Sequence, residues 1–281
     1  MTKLEGIVRG LDEATYHARP ELSSTEARMI LRTPAEYRWR KDHPPLIDDS
    51  PKFDIGKAVH SKVLGIGAPV IVVEADDWRT KAAREAREEA RALGKAPLLT
   101  SEYQAVNAMA EAVLAHKGAA QLFSQPGDAE VSVFATDPET EVALRGRFDF
   151  LPTDFSLGAP SRVAVDLKTT RDASPRGFTR SIADFGYDVQ RAWYLDALHR
   201  ITGEDAEFVF VAVEKEPPYL VAVHQLPTIW AEMGVTKARR ARQVYAECVA
   251  SGEWPGYGNE VFLLSPPTWL IYQHEEEYGD E

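Results

Sequence analysis

RVAVDLKTT, residues 162–170, decides how the chain is read. Its side chains alternate in the period of a β-strand, successive residues pointing to opposite faces. Val163, Val165 and Leu167 share one face, and Ala164, Asp166 and Lys168 share the other. A strand that only filled a core would gain nothing from an acid and an amine at its end. The run before it, EVSVFATDPETEVALRGRFDFLP (130–152), is two alternating segments around the turn TDPET, a hairpin signature. In its second arm Val142, Leu144, Phe148 and Phe150 fall on an apolar face, with Arg145, Arg147 and Asp149 opposite. Asp149 lies 17 residues before Asp166, enough to end one strand, turn and enter its neighbour. Glu130 and Ser132 fall together, away from Val131 and Val133, so Glu130 can join the same cluster.

Outward from this hairpin and strand, helices surround it. SSTEARMILR carries a Ser23-x-x-Glu26 capping box, and TPAEYRWRKD repeats the device with Thr33 as cap and Pro34 in the first turn. PPLIDDSP reads as a loop, FDIGKAVHSKVLG as a helix ending at Gly65 or Gly67, and VIVVE as a brief strand. Residues 76–93 and 100–117 read as helices, with a loop containing Gly158 and Pro160 before the central strand. After it come a helix from Ser174-Pro175, another over 188–202, a second hairpin in AEFVFVAVEKEPPYLVAVHQ and a long helix over 227–250. The remainder reads as loop with a strand at 261–264 and a solvated acidic end, HEEEYGDE. The order predicts an α/β (α+β) fold, a mixed β-sheet core flanked by helices with a helical N-terminal region. One domain over 1–281 is expected: a mainly helical wrap to 125, a core over 126–225, and a C-terminal helix and tail over 226–281.

Of the 281 residues 44% are hydrophobic and 27% charged, a globular composition able to bury a sizeable core. No apolar run approaches the ~18–20 residues that span a bilayer, and the first residues lack a signal-peptide block. With Cys248 the single cysteine, disulfide frameworks and cysteine-type metal sites within one chain are excluded, and a cytoplasmic location is expected. The net charge of −12 argues against whole-surface binding of nucleic acid but leaves room for a local basic groove. Positive charge clusters at 81–91, 171–191 and 237–242.

Three carboxylates brought together repel one another unless a cation neutralises them. Mg²⁺ is a hard ion held by carboxylates and phosphate oxygens, and it polarises a phosphoryl group and acidifies a water. A lysine beside it can orient or deprotonate that water, or stabilise the charge growing on phosphorus. Asp149 followed by Asp166-Leu167-Lys168 resembles the PD-(D/E)XK nuclease motif, with Phe148 in place of proline. GKAVH (Gly56 to His60), GRFD and QRAWY (Gln190 to Tyr194) resemble, in order, elements of its RecB-like branch. LSSTEARMILRTPAEYRWRKDHPP and VDLKTTRDASPRGFTRSIADFGYDVQRAWYLDAL are similar to the phage-type exodeoxyribonuclease VIII (RecE-like) group. The resemblance implies a restriction-endonuclease-like core, with His60, Asp149, Asp166, the Leu167 carbonyl and Glu130 as ligands of one or two Mg²⁺ or Mn²⁺ ions. It implies Lys168 as the catalytic lysine, and Gln190 and Tyr194 near the substrate phosphate. It further implies 5′→3′ digestion of double-stranded DNA ends in phage-type recombination, a single-strand annealing partner and a ring-shaped homo-oligomer. Gln190 and Tyr194, and likewise Gly56 and His60, share helix faces at i and i+4. Gly56 is expected to let its helix approach another backbone closely.

Each residue also has a plainer role. Asp166 and Lys168 alone would be an ordinary ion pair, His60 a core histidine, Glu130 a solvated edge residue, and Gln190 and Tyr194 a polar stripe. Arg147 suits a structural carboxylate as well as DNA. The rival functions are an endonuclease or single-strand nuclease on the same core, a catalytically silent nucleic-acid-binding protein, and a small-molecule metallohydrolase.

Overall fold

A computed structural model describes residues 4–43, 51–153 and 162–279. The first part of the chain forms β1 (Gly6–Val8), α1 (Glu13–Ala18), β2 (Leu22–Ser23), α2 (Ser24–Arg32), α3 (Pro34–Asp42), α4 (Pro51–Leu64), β3 (Val70–Val73), α5 (Lys81–Ala92), β4 (Ala96–Leu99), α6 (Thr100–Ala115) and α7 (Lys117–Phe123). Then come β5 (Gly127–Thr136), β6 (Ala143–Pro152), β7 (Arg162–Thr170), α8 (Pro175–Phe185), α9 (Tyr187–Thr202), β8 (Ala206–Glu214), β9 (Val221–Gln225), α10 (Thr228–Ser251) and α11 (Thr268–Tyr278). The main sheet runs β1-β5-β6-β7-β8-β9, with β2 added alongside β6. β5, β6 and β7 are antiparallel neighbours, β7 and β8 are parallel, and β8 and β9 form the second hairpin. A parallel β7–β8 pair needs a crossover, and α8 and α9 supply it.

Both sheet faces are covered. Val165, Leu167, Val209 and Val211 pack with Val59 of α4 and Val106 and Met109 of α6. Ala164, Phe208 and Phe210 pack with Phe178 of α8 and Ala197 of α9. A third cluster joins Leu144 to Ile30, Tyr37, Trp193 and Ala241, from α2, α3, α9 and α10. Strand alternation thus sorts β7 as its sequence predicts.

Several expectations need correction. Residues 261–264 form no strand, and part of the expected loop, Thr268–Tyr278, is helix α11, which Pro266 and Pro267 precede and which leaves the acidic end exposed. The helical wrap contains more strands than the expected VIVVE one: β1 and β2 join the main sheet, and β4 pairs with β3. Thr33 makes no side-chain cap, since its hydroxyl donates instead to the Pro255 carbonyl at 3.3 Å. The apolar face of β6 is divided: Phe148 packs on the α9 side and Phe150 on the α4–α6 side. The division falls beside Glu130, whose φ of 53° is left-handed and interrupts the β5–β6 ladder there. The loop residues 44–50, Gly158 and Pro160 lie outside the described residues.

Arg145 and Arg147 of β6 hold the N-terminal segment against the sheet. Arg145 donates to the carbonyls of Tyr16 (2.8 Å), His17 (3.2 Å) and Arg19, and its other guanidinium nitrogen pairs with Glu26 at 3.3 Å. Arg147 donates to the Leu11 carbonyl at 2.8 Å and to Ser132 Oγ at 3.0 Å.

Candidate active site

The site lies where β6 and β7 part. They pair at Phe150↔Val165, and extending that register sets Asp149 opposite Asp166. The Asp149 carboxylate takes the place of the missing ladder, its Oδ2 accepting the Leu167 N–H at 2.7 Å. On the other side the β5–β6 register sets Glu130 opposite Asp149. Glu130's left-handed backbone costs about 1–3 kcal/mol in a residue that is neither glycine nor asparagine. Such a cost persists where the surroundings enforce it, here at the carboxylate cluster.

His60 of α4, Glu130 and Asp149 each offer a ligand atom within 4.8 Å of the others. His60 Nδ1 lies 3.5 Å from Asp149 Oδ2, and Arg147 reaches Glu130 at 3.6 Å. Glu130 is pushed up to about 7 by burial and by the neighbouring Asp149 charge, with Arg147 and His60 opposing. An imidazole with two mutually repelling carboxylates fits a divalent cation, which would relieve the repulsion.

Asp166 belongs to a second, adjoining group. It is buried, its Oδ1 accepts from Gln190 Nε2 of α9 at 2.5 Å, and its Oδ2 pairs with Lys168. Burial favours a neutral amine at Lys168, but the charges of Asp166 and Asp149 outweigh it and hold the amine above its ordinary range. Lys168 is therefore an ammonium at neutral pH, suited to orienting water and stabilising negative charge rather than to removing a proton. Its Nζ also sits 5.0 Å from the Tyr187 ring centroid.

The remaining expected residues are placed as follows. Leu167 is buried, and its N–H is the group that ties β7 to Asp149. Tyr194 follows Gln190 by one helical turn, but its hydroxyl bonds Ser24 of α2 and its ring packs edge-on to Phe148 at 5.3 Å. Gly146 lies under that ring, where an added Cβ would come within 2.9 Å. Gly56 makes no close backbone approach, since a Cβ there would meet Thr169 Oγ1 at 3.9 Å, an ordinary contact. Arg147 is engaged structurally. Arg28 of α2 is a neighbour that sequence reading missed. It donates to the Ser24 and Phe185 carbonyls and to Thr25 Oγ1, and it feels the charge of Asp166. Burial pulls it below its ordinary range. In the sequence it is one more polar residue of a capped helix, and nothing in its spacing marks it.

An acid on β6, Asp-Leu-Lys on adjoining β7 and a helix-borne glutamine against the second acid define a nuclease-like PDDEXK domain. The chain belongs to the PDDEXK-like domain family of unknown function (DUF3799), whose sequence profile matches residues 23–264. Among curated protein sequences none matches. The crystal structure of a presumed exonuclease from Eubacterium rectale is similar over 94% of this chain and 98% of that one, at 14% identity and a TM-score of 0.62. At that identity the likeness is one of fold, and it bears out the mixed sheet flanked by helices. A phage-related exonuclease from Haemophilus somnus aligns over 69% of this chain and 95% of that one, at 15% identity and a TM-score of 0.30. Among the described residues no helix is long and apolar enough to cross a membrane.

Proposed function

We propose that the protein is a divalent-metal-dependent deoxyribonuclease that degrades double-stranded DNA from its ends, 5′→3′, in phage-type recombination. The observation that carries the reading is the approach of His60, Glu130 and Asp149 to within 4.8 Å, beside the Asp166–Lys168 pair. Family membership supports the nuclease chemistry. The end preference, polarity and recombination setting rest on the sequence resemblance. So do a single-strand annealing partner, a ring-shaped assembly and a cytoplasmic location. Residues 1–281 act as one catalytic unit in this reading, because α2, α3 and α10 share a core cluster with β6.

His60, Glu130 and Asp149 would hold the ion, Mg²⁺ or Mn²⁺, with Asp166 and the Leu167 carbonyl available to it or to a second ion. When bound, the metal polarises the scissile phosphate and lowers the pKa of water. The Lys168 ammonium orients the attacking water and stabilises the charge that grows on the phosphate oxygens. Gln190 fixes Oδ1 of Asp166, so that Oδ2 and its partner Lys168 keep their positions. Tyr194 supports the strand beneath the site.

The test is incubation of the purified chain with linear duplex, closed circle, nicked circle and single strand, with Mg²⁺, Mn²⁺ or EDTA. Metal-dependent loss of linear duplex with closed circle intact is expected. Cutting of the closed circle identifies an endonuclease, and loss of single strand alone a single-strand nuclease. No digestion with either metal overturns the proposal and favours a silent binding protein.

A further inference from the structure

The end of the chain carries a feature that cleavage does not use. After α10, Trp254 packs against Tyr37 and Tyr245, with ring centroids 5.3 and 5.9 Å away. The Pro255 carbonyl accepts from the Ala35 N–H at 3.1 Å and from Thr33 Oγ1. Beyond this anchor residues 257–279 are exposed throughout, although they include VFLL (261–264) and TWLIY (268–272). Val261 and Leu263 are 99% and 97% exposed. With ~150–250 Å² per aromatic, the uncovered apolar area of the arm is on the order of 1,000 Å². A single molecule normally leaves a few hundred uncovered, and a standard interface takes about 800 Å² from each partner.

The same molecule has an uncovered acceptor. β9 ends the main sheet, and among the described residues nothing pairs its outer edge. Its sequence, VAVHQ, contains no aspartate, glutamate, lysine, arginine or proline, the residues that guard free edges, and the exposed Leu220 precedes it. VFLL has the composition of a strand and is stopped by Pro266 and Pro267. Donor and acceptor also lack Asp, Glu, Lys and Arg, so joining them desolvates no carboxylate or ammonium although each chain carries a net charge of −12.

We propose that residues 261–264 of one copy add as a strand to the β9 edge of a second copy of this chain, with the apolar start of α11 covering the adjoining surface. Reach favours a second copy. β9 leads directly into α10, whose 24 residues span about 36 Å before the anchor. The six residues from Pro255 to Val261 extend at most about 22 Å, less than the length of α10 that lies between Gln225 and the anchor. A main-chain ladder gives the joint its strength, and alternate side chains give its register. Repeated head to tail, the joint closes a ring or grows a filament according to its rotation.

Sedimentation of the full chain is expected to show an oligomer at about ten micromolar, a concentration at which micromolar affinity populates one. Leu263→Asp, at an exposed position, should keep the circular dichroism spectrum and weaken assembly about 100-fold or more. Separately tagged Leu220→Cys and Leu263→Cys chains, mixed and treated with a short bis-maleimide, should form a species containing one of each, because the native Cys248 is buried. A monomeric wild type, an oligomer untouched by Leu263→Asp, or the absence of any crosslinked species containing one of each tagged chain would overturn the proposal. The measurement reads assembly alone, so its outcome is independent of whether the protein cuts DNA.

Discussion

Replacing Glu130 with glutamine should change how stability depends on pH, in a direction fixed by the site. In the metal-free fold Glu130 is pushed up to about 7 from an ordinary 4.5. Between those values the folded state holds a proton that the unfolded state releases, so this group's contribution is fully present below about pH 4.5 and is lost as pH rises through 7. A gap of about 2.5 pH units at ~1.36 kcal/mol each sets an upper bound near 3 kcal/mol. The Glu130 side chain is 26% exposed, so water screens part of this, and about 1–3 kcal/mol is expected. The assay is urea unfolding in EDTA at about pH 5 and about pH 8, for wild type and Glu130→Gln. Glutamine fills the same space and does not titrate. The variant should match wild type at the lower pH and exceed it by the stated amount at the higher one. Groups such as Asp166 titrate in both proteins and cancel in the difference. Mn²⁺ at the higher pH should stabilise wild type far more than the variant. If both proteins lose the same stability between the two pH values, Glu130 is not the strained carboxylate described here.

Lys168→Ala should lower DNA hydrolysis by about 10²–10³-fold while DNA binding in EDTA changes little, measured by gel digestion and anisotropy. Gln190→Ala should cost about tenfold or more in hydrolysis, because Asp166 loses the donor that fixes one oxygen, and Gln190→Glu should cost more by setting a second acid against it. Gly234→Ala should destabilise the fold by about 1–3 kcal/mol in denaturant melts, since the added Cβ would lie 2.3 Å from the Asp188 carbonyl oxygen and push α10 off α9.

The period of two in RVAVDLKTT was enough to place β7, the sorting of its two faces and the shared direction of Asp166 and Lys168. TDPET marked the first hairpin because turn residues and alternation agree there, and AEFVFVAVEKEPPYLVAVHQ showed the second. The division of the acids into two groups was not legible. It depends on β6 and β7 separating after Phe150↔Val165, which tertiary packing decides. Glu130 adopts a left-handed backbone without the glycine that would signal it. Arg28 comes close through the meeting of α2 with the α8–α9 joint, a contact across 157 residues of sequence. The VFLL segment reads as a strand by composition, yet a strand needs an edge to pair with, and among the described residues no strand pairs with it.

Arg145 and Arg147 bear on how the protein can be dissected. They flank Gly146 on the strand that presents Asp149, and both fasten to carbonyls between Leu11 and Arg19. A chain begun after α1 would not be a trimmed version of the same catalyst. It would take the Tyr16 and His17 carbonyls from Arg145 and the Leu11 carbonyl from Arg147, two largely buried guanidiniums of which the second pairs with Glu130. The opening residues are thus part of the site's foundation, and Glu13 among them adds its charge to that acting on Glu130.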